Sequence, residues 1–430
     1  MPFKQKNVDF LKDEKCFLYG HLIRKAREDC EISLLFLSEI SGLSSSLLSR
    51  VEHGESYLLA KNKELIESIL DVHIDFSDEI NQMMQQEFEK LISFWASNDS
   101  IEFANSYNRI KSKKQYYYSC AHPLYMLSLL FYEVTINSTK NEMIKNIIKD
   151  LNHLIELLNE QQKNILGICT LIFFQNSNTI KENNFYVLEN FDVSSKNIKG
   201  NILNAVVFFY LAVFYSNSGK VKQAEKYEIA AIGSFLYNMC IEKTLIVKIV
   251  LAKAYLLADR FEEAKKIYED AIKYREKIGQ IEKDSEVYLN LLLCAIFEEN
   301  YILCKKYFEM YLKTEACTDN ERLFYGAIVL FLTENHNLKQ FLNLEVQHFN
   351  GSKENLITLE MIYFFARKEK VMFEKKVLEG LCYYKNSQCL MSKKLFLKLG
   401  IKIEKRFKSY KYVVLIQEEY ILIQKEQLSG

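Results

Sequence analysis

Residues 205–311 repeat with a period of 40, and no other feature of the 430-residue chain limits its fold so strongly. The period aligns Leu211, Leu251 and Leu291; Val221, Phe261 and Tyr301; Ala224, Ala264 and Cys304; Lys226, Lys266 and Lys306; and Ala231, Ala271 and Tyr311. Large apolar, small and cationic residues return at one phase, so each copy is one supersecondary unit that buries its apolar face on its neighbours. Strand-based repeats would need turn residues at short intervals. The chain has only 13 Gly and 2 Pro. From about Ser77 onward it reads instead as amphipathic helices of roughly 12–20 residues, separated by short polar breaks such as Asn217-Ser218-Gly219. The expected fold class is all-α.

The middle copy, LAKAYLLADRFEEAKKIYEDAI, resembles the tetratricopeptide repeat: Leu251-Ala252, Tyr255, Ala264, Tyr268 and Ala271 stand at that family's signature spacing. In the first copy Glu228 replaces the usual aromatic, and in the third Ala295 and Tyr311 exchange the usual large and small residues. The resemblance implies a right-handed α-solenoid. In it, Ala252 and Ala264 let the two helices of a repeat approach, while Tyr255 and Tyr268 fill the space to the next repeat. Further pairs are expected at Arg322–Asn343 and Asn355–Tyr384, with Ser392–Gln427 as a terminal cap and Tyr412–Ile423 as a docking helix. Residues 76–430 are thus expected to form one tetratricopeptide-like domain with C-terminal capping helices, and residues 1–75 a separate head joined to it at Asp75–Asp78.

Residues 20–54 of the head, GHLIRKAREDCEISLLFLSEISGLSSSLLSRVEHG, resemble the helix-turn-helix of the phage-repressor (Cro-type) family. Helix one is expected at Tyr19–Asp29 and helix two at Leu34–Ile40, capped by Ser33. A left-handed corner at Gly42 follows, then a recognition helix capped by Ser44 and ending at Glu52-His53-Gly54. Ile23, Leu37, Leu43, Leu48 and Val51 are the expected packed side. The resemblance implies an Arg27–Glu52 ion pair and places Ser44, Ser45, Ser46, Ser49 and Arg50 on double-stranded DNA. Arg50 alone among these can make a bidentate contact to guanine, and Ser44 with the helix N-terminus would meet a phosphate. The head departs from the family pattern at Leu34, where glutamine is usual, at Ser41, normally apolar, and in lacking the usual proline. Its 10 Lys/Arg against 13 Asp/Glu make a poor surface for non-specific phosphate binding.

Other chemistries are excluded by the residues present. Seven His and ten Cys form no His-Glu-x-x-His or Cys-x-x-Cys, and no phosphate-binding or nucleophile-elbow motif occurs, so no metal, no cofactor and no enzymatic activity is expected. The scattered thiols read as small buried hydrophobes of a reducing compartment. The N-terminus lacks a signal-peptide pattern, and the longest apolar stretches, such as Ala205–Tyr215, are too short to cross a bilayer. A cytoplasmic location and no membrane partner are expected. The basic runs Arg109–Lys114 and Lys393–Lys411 read as solvated helix faces, the second also able to serve as a phosphate contact or acidic-partner patch.

A repressor-type head followed by tetratricopeptide-like repeats resembles the cytoplasmic peptide-pheromone receptors of Gram-positive bacteria and their phages (the Rap/Rgg–PlcR–PrgX-like quorum-sensing regulators, including arbitrium-type receptors). The resemblance implies a transcription regulator that binds operator DNA as a homodimer and is controlled by a short signalling peptide in the groove of the repeats. Projected from the repeat register, the groove is lined by Val206, Phe209 and Val213, by Ile246, Ile249 and Lys253, and by Glu286, Leu289 and Leu293, with Asn201, Asn204 and Asn290 on or beside that face. Amide side chains there could hold a peptide backbone by donor and acceptor at once. The expected peptide contacts are Asn201, Asn204, Phe209, Lys253, Glu286 and Asn290. The alternative reading is an interaction scaffold whose repeats bind a protein and whose head is a docking module.

Overall fold

The computed structural model describes residues 6–136, 140–176, 201–279, 285–385, 389–408 and 410–428. Among them the chain forms twenty-two α-helices and no strand, with one isolated bridge between Asp75 and Ser119. It divides into two compact units, one ending at Val207 and the other beginning at Phe208. No described helix is long and apolar enough to cross a membrane. None of the ten cysteines is in a disulfide. Cys16, Cys169, Cys240, Cys294 and Cys304 are buried as expected of small hydrophobes, whereas Cys30, Cys382 and Cys389 are exposed.

The first unit opens with α1 (Lys6–Asp29), α2 (Leu34–Ser41), α3 (Ser45–Glu52) and α4 (Ala60–Ile69). The first helix starts well before the expected Tyr19, because Gly20 does not end it. A Cβ on Gly20 would lie 1.9 Å from the Val51 carbonyl oxygen, so this glycine is the crossing point of α1 and α3. Leu22, Ile23 and Ala26 of α1, Leu37 of α2, Leu48 and Val51 of α3 and Ile66 of α4 are buried together, with Leu43 half-buried against them.

The chain continues through α5 (Asp78–Ala96), α6 (Ser100–Ser112), α7 (Lys114–Tyr117), α8 (His122–Thr135), α9 (Asn141–His153) and α10 (Glu160–Asn176). Ser77 caps α5, its Oγ accepting from Ile80 N–H, and Ile80, Met84, Phe88, Leu91 and Trp95 form the helix's buried stripe. The expected joint at Asp75–Asp78 lies within this unit. There Asp75 exchanges backbone hydrogen bonds with Tyr118 and Cys120, and Leu154 is part of the core formed by α1–α4.

The second unit contains most of α11 (Ile202–Asn217), then α12 (Val221–Tyr237), α13 (Ile241–Leu257), α14 (Phe261–Lys277), α15 (Ser285–Phe297), α16 (Tyr301–Leu312), α17 (Asp319–Leu332), α18 (Leu338–Glu345), α19 (Lys353–Ala366), α20 (Lys370–Tyr384), α21 (Leu390–Arg406) and α22 (Val413–Leu428). Within the unit, successive helices from α12 to α22 pack on their neighbours. The 40-residue period is visible in the backbone. Helices begin at Val221, Phe261 and Tyr301, and the turns before them place Gly219, Asp259 and Glu299 in the left-handed conformation, with φ of 65°, 62° and 58°. Met239 and Gly279 repeat this in the alternate turns. Ala224, Ala264 and Cys304, aligned by the period, are fully buried, as close helix packing requires.

The last two helices do not merely cap the row. Lys394, Lys398, Lys402 and Arg406 of α21 recur every fourth residue and form one stripe. Lys394 Nζ meets Asp259 Oδ1 at 2.6 Å, Lys398 and Lys402 meet Glu299 at 3.5 and 2.9 Å, and Arg406 Nη2 meets Glu334 Oε1 at 2.9 Å. These carboxylates all sit at left-handed turn residues. Twelve residues of helix span about 18 Å, which divides into two steps of about 9 Å, the ordinary distance between packed helices. The stripe therefore crosses three alternate turns, those of α13–α14, α15–α16 and α17–α18, with one cation group for each. Much of the basic run expected to be a solvated face is thus spent on internal pairs, with Lys394 only 1% exposed.

Candidate functional site

The head builds its presented surface from two eight-residue helices and a short corner. Ser33 Oγ accepts from Phe36 N–H at 3.1 Å and Ser44 Oγ accepts from Leu47 N–H at 3.2 Å, so each helix start is satisfied locally. Gly42 takes φ 71°, and its N–H closes α2 on the Ser38 carbonyl. Ser41, polar where an apolar residue is usual, donates to the Leu37 carbonyl at 2.6 Å and accepts from Leu43 N–H at 3.3 Å, so its hydroxyl belongs to the corner's own bonding.

The far end of α3 is held by Arg27. Its Nε and Nη2 donate to the two Glu52 carboxylate oxygens at 2.7 and 3.0 Å, and Nη1 donates to the Ile32 carbonyl at 2.8 Å. The ion pair implied by the repressor resemblance is present and partly buried. A fork of this kind fixes both separation and angle. Ser44, Ser45, Ser46 and Arg50 are exposed and Ser49 is half-buried. No ion pair engages Arg50 among the described residues, so its five donors are available to a ligand.

Behind this surface α1 is seated on α8 and α9. Lys25 pairs with Asp150 at 2.6 Å, and Tyr118 donates to Asp29 at 2.8 Å. His21 lies 5.6 Å from His122 and 5.8 Å from His153, ring to ring. His122 Nδ1 stands 2.6 Å from the Tyr117 carbonyl. A carbonyl only accepts, so Nδ1 carries the proton and Nε2 is a bare lone pair with no donor. Burial pushes His21 down to about 3, helped by His122, and pushes His122 down to about 4. Both rings are neutral at pH 7. Nothing in the sequence marks this cluster, since its members lie far apart along the chain.

The six residues expected to contact a peptide do not share one environment. In the first unit, Asn201 Oδ1 accepts from Leu203 N–H at 2.8 Å, a helix-start role, and Asn204 is half-buried. In the second, Phe209 is buried beneath the Lys243 ammonium, 5.6 Å from the ring centre, Lys253 is half-buried and Glu286 is exposed. Asn290 is 5% exposed, and its Nδ2 has no acceptor among the described residues. Of the neighbouring positions projected onto the groove, Val206, Ile249 and Leu293 are buried and Val213, Ile246 and Leu289 are half-buried.

No group of three or more His, Cys, Asp and Glu side chains among the described residues is arranged to hold a metal ion. No protein-family model and no curated protein matches the chain.

Proposed function

We propose that the protein is a DNA-binding regulator: residues 20–54 form a repressor-type helix-turn-helix, and the repeats of a tetratricopeptide-like solenoid carry a site for a short peptide that controls it. The observation that carries the reading is the corner between α2 and α3. There two capped helices, a left-handed Gly42 and the Arg27–Glu52 fork hold α3 with Ser44, Ser45, Ser46 and Arg50 turned to solvent. One arginine and a few serines offer too few contacts for specific binding by one head. Two heads in a homodimer, on half-sites about one DNA turn apart, supply the rest. Control is supported by the shared core around Leu154, because a displacement of α8 or α9 is passed directly to α1 and so to α3. The peptide part is supported by the repeat of turns and small residues between 205 and 311, with the unused amide of Asn290 inside it.

A second reading is favoured by α2, which exposes Leu35 at 63%, Phe36 at 51% and Ile40 at 45%. An apolar, acidic head suits a protein partner, and the chain would then be an interaction scaffold.

Genomic-fragment selection with wild type and Arg50→Ala separates the two. DNA reading requires an enriched site with paired half-sites, weakened about tenfold to a hundredfold by Arg50→Ala through loss of one bidentate base contact, while stability stays within about 0.5 kcal/mol. Short peptides added to the selected complex then test the gating. Selection that enriches nothing, with wild type and Arg50→Ala alike, favours the scaffold.

A further inference from the structure

The stripe of cations on α21 also lines a cavity of about 830 Å³ in the second unit, bounded by Lys398, Lys402, Lys405 and Arg406 and by the carboxylates of Glu299 and Glu334. We propose that this cavity binds an elongated organic anion carrying two or more negative charges on phosphate or carboxylate groups. The proposal does not depend on the DNA-binding reading.

The charges on the walls do not balance. Four cations face two carboxylates, and those carboxylates are already engaged: Glu299 by Lys402 at 2.9 Å and Lys398 at 3.5 Å, Glu334 by Arg406 at 2.9 Å. The Lys405 ammonium is exposed and has no ion-pair partner among the described residues, and the only ion pair of Lys398 is the longest of the three. Two cations therefore keep donors for a ligand. They stand seven residues apart on one helix face, about 10 Å along the axis, which suits anionic groups at two points rather than one. Lys402 lies between them with its side chain 16% exposed, where an ion pair is screened less than in open water.

The remaining wall is mostly apolar and aromatic, with Tyr301, Ile401, Tyr420 and Ile421, the last 48% exposed, and one amide, Gln417. An apolar residue left open beside a cationic row is covered when the ligand's carbon skeleton lies over it. The volume falls within the range of small-molecule sites, roughly 300–1,000 Å³.

The test is calorimetric titration of the full chain with tripolyphosphate and with citrate, at a fixed ionic strength of about 0.15 M. Binding of either probe at one per chain, with a dissociation constant below about 1 mM, supports the site, and the preferred probe identifies phosphate or carboxylate as the recognised group. Lys405→Ala and Lys398→Ala remove exposed or loosely paired charges and leave the fold intact; each weakens binding about tenfold. Lys222→Ala, an exposed cation on another helix, leaves it unchanged. No binding of either probe near 1 mM overturns the proposal, as does binding that all three variants weaken equally or not at all.

Discussion

Asp259→Asn isolates what the last two helices contribute. Asp259 sits at φ 62° in the turn between α13 and α14 and accepts from three donors: Lys394 Nζ at 2.6 Å, Tyr420 Oη at 3.0 Å and Gln424 Nε2 at 3.0 Å; the Lys394 ammonium also donates to the Leu257 carbonyl at 2.6 Å. Asparagine tolerates the left-handed conformation, so the backbone is not the variable. Its amide oxygen can still accept from Lys394 and Tyr420. Its NH₂ group, however, faces the NH₂ of Gln424, and the buried ammonium loses its ion-pair partner among the described residues. Desolvation already pulls the Lys394 pKa below the ordinary lysine value, with Asp259 acting against it. Breaking a buried pair on one side costs about 3–5 kcal/mol. The retained hydrogen bonds place this case near the lower figure, about 3 kcal/mol, or roughly a hundredfold in an opening equilibrium. Hydrogen exchange of the amides of α21 and α22 reads that opening directly, and should accelerate by this factor with little change in α1–α4. Adding Lys394→Met should recover most of the loss, since a hydrophobe replaces the stranded charge. Exchange within about threefold of wild type in Asp259→Asn would refute the idea that these contacts hold the terminal helices in place.

The neutral histidines make the first unit acid-sensitive. Their folded pKa values lie below the unfolded value near 6.5, so the unfolded chain binds more protons between about pH 6.5 and pH 4, and each ring removes up to about 1.4 kcal/mol of stability per pH unit lost. Urea unfolding followed by the fluorescence of Trp95, the chain's one tryptophan and part of this unit, should show the fall between about pH 7 and pH 5, and His122→Phe should reduce the slope. Glu228 acts in the opposite sense: burial pushes it up to about 7, so its charging weakens the second unit as pH rises from about 4.5 through 7. Glu228→Gln should slow hydrogen exchange in α12 at pH 8 by the equivalent of about 1–2 kcal/mol, discounted for partial exposure, and change it little at pH 4. Gly20→Ala drives a methyl into the Val51 carbonyl and should cost about 3 kcal/mol in thermal unfolding of the head. Gly233→Ala, with nothing within 4 Å of the new methyl in α12, should instead stabilise by about 0.5–1 kcal/mol.

The parts of the head that were legible in the sequence are those whose chemistry is local. Ser33 and Ser44 cap the helices they precede because a side-chain oxygen before an apolar run has an orphan N–H three residues on. Gly42 bends the corner because a tight turn there needs a left-handed residue. Arg27 with Glu52 was reachable only through resemblance to a family, since 25 residues separate them. Helix one is expected to begin at Tyr19, beside Gly20, whereas α1 begins at Lys6 and carries Gly20 in its interior. A glycine inside a helix and a glycine at its end look alike in sequence, and only the approach of the Val51 carbonyl distinguishes them.

In the second unit the period aligned Ala224, Ala264 and Cys304, which are fully buried, and it could not tell what covers the turns. Left-handed non-glycine residues such as Asp259, Glu299 and Glu334 are costly conformations, and an acidic residue at each looks like ordinary solvent-facing turn chemistry. The complementary signal, Lys394, Lys398, Lys402 and Arg406 at intervals of four, lies about 70–135 residues away and reads by itself as a charged helix surface. Each half has a bland meaning alone. The informative comparison was between two spacings: a helix rises about 6 Å in four residues, packed helices stand about 9 Å apart, and a stripe of four cations therefore matches three turns and no more. The middle turn, at Glu299, takes two of the four cations, as that mismatch of spacings requires. That second cation at Glu299, together with Lys405, leaves positive charge beside Glu299 and Glu334 at the place where the cavity opens.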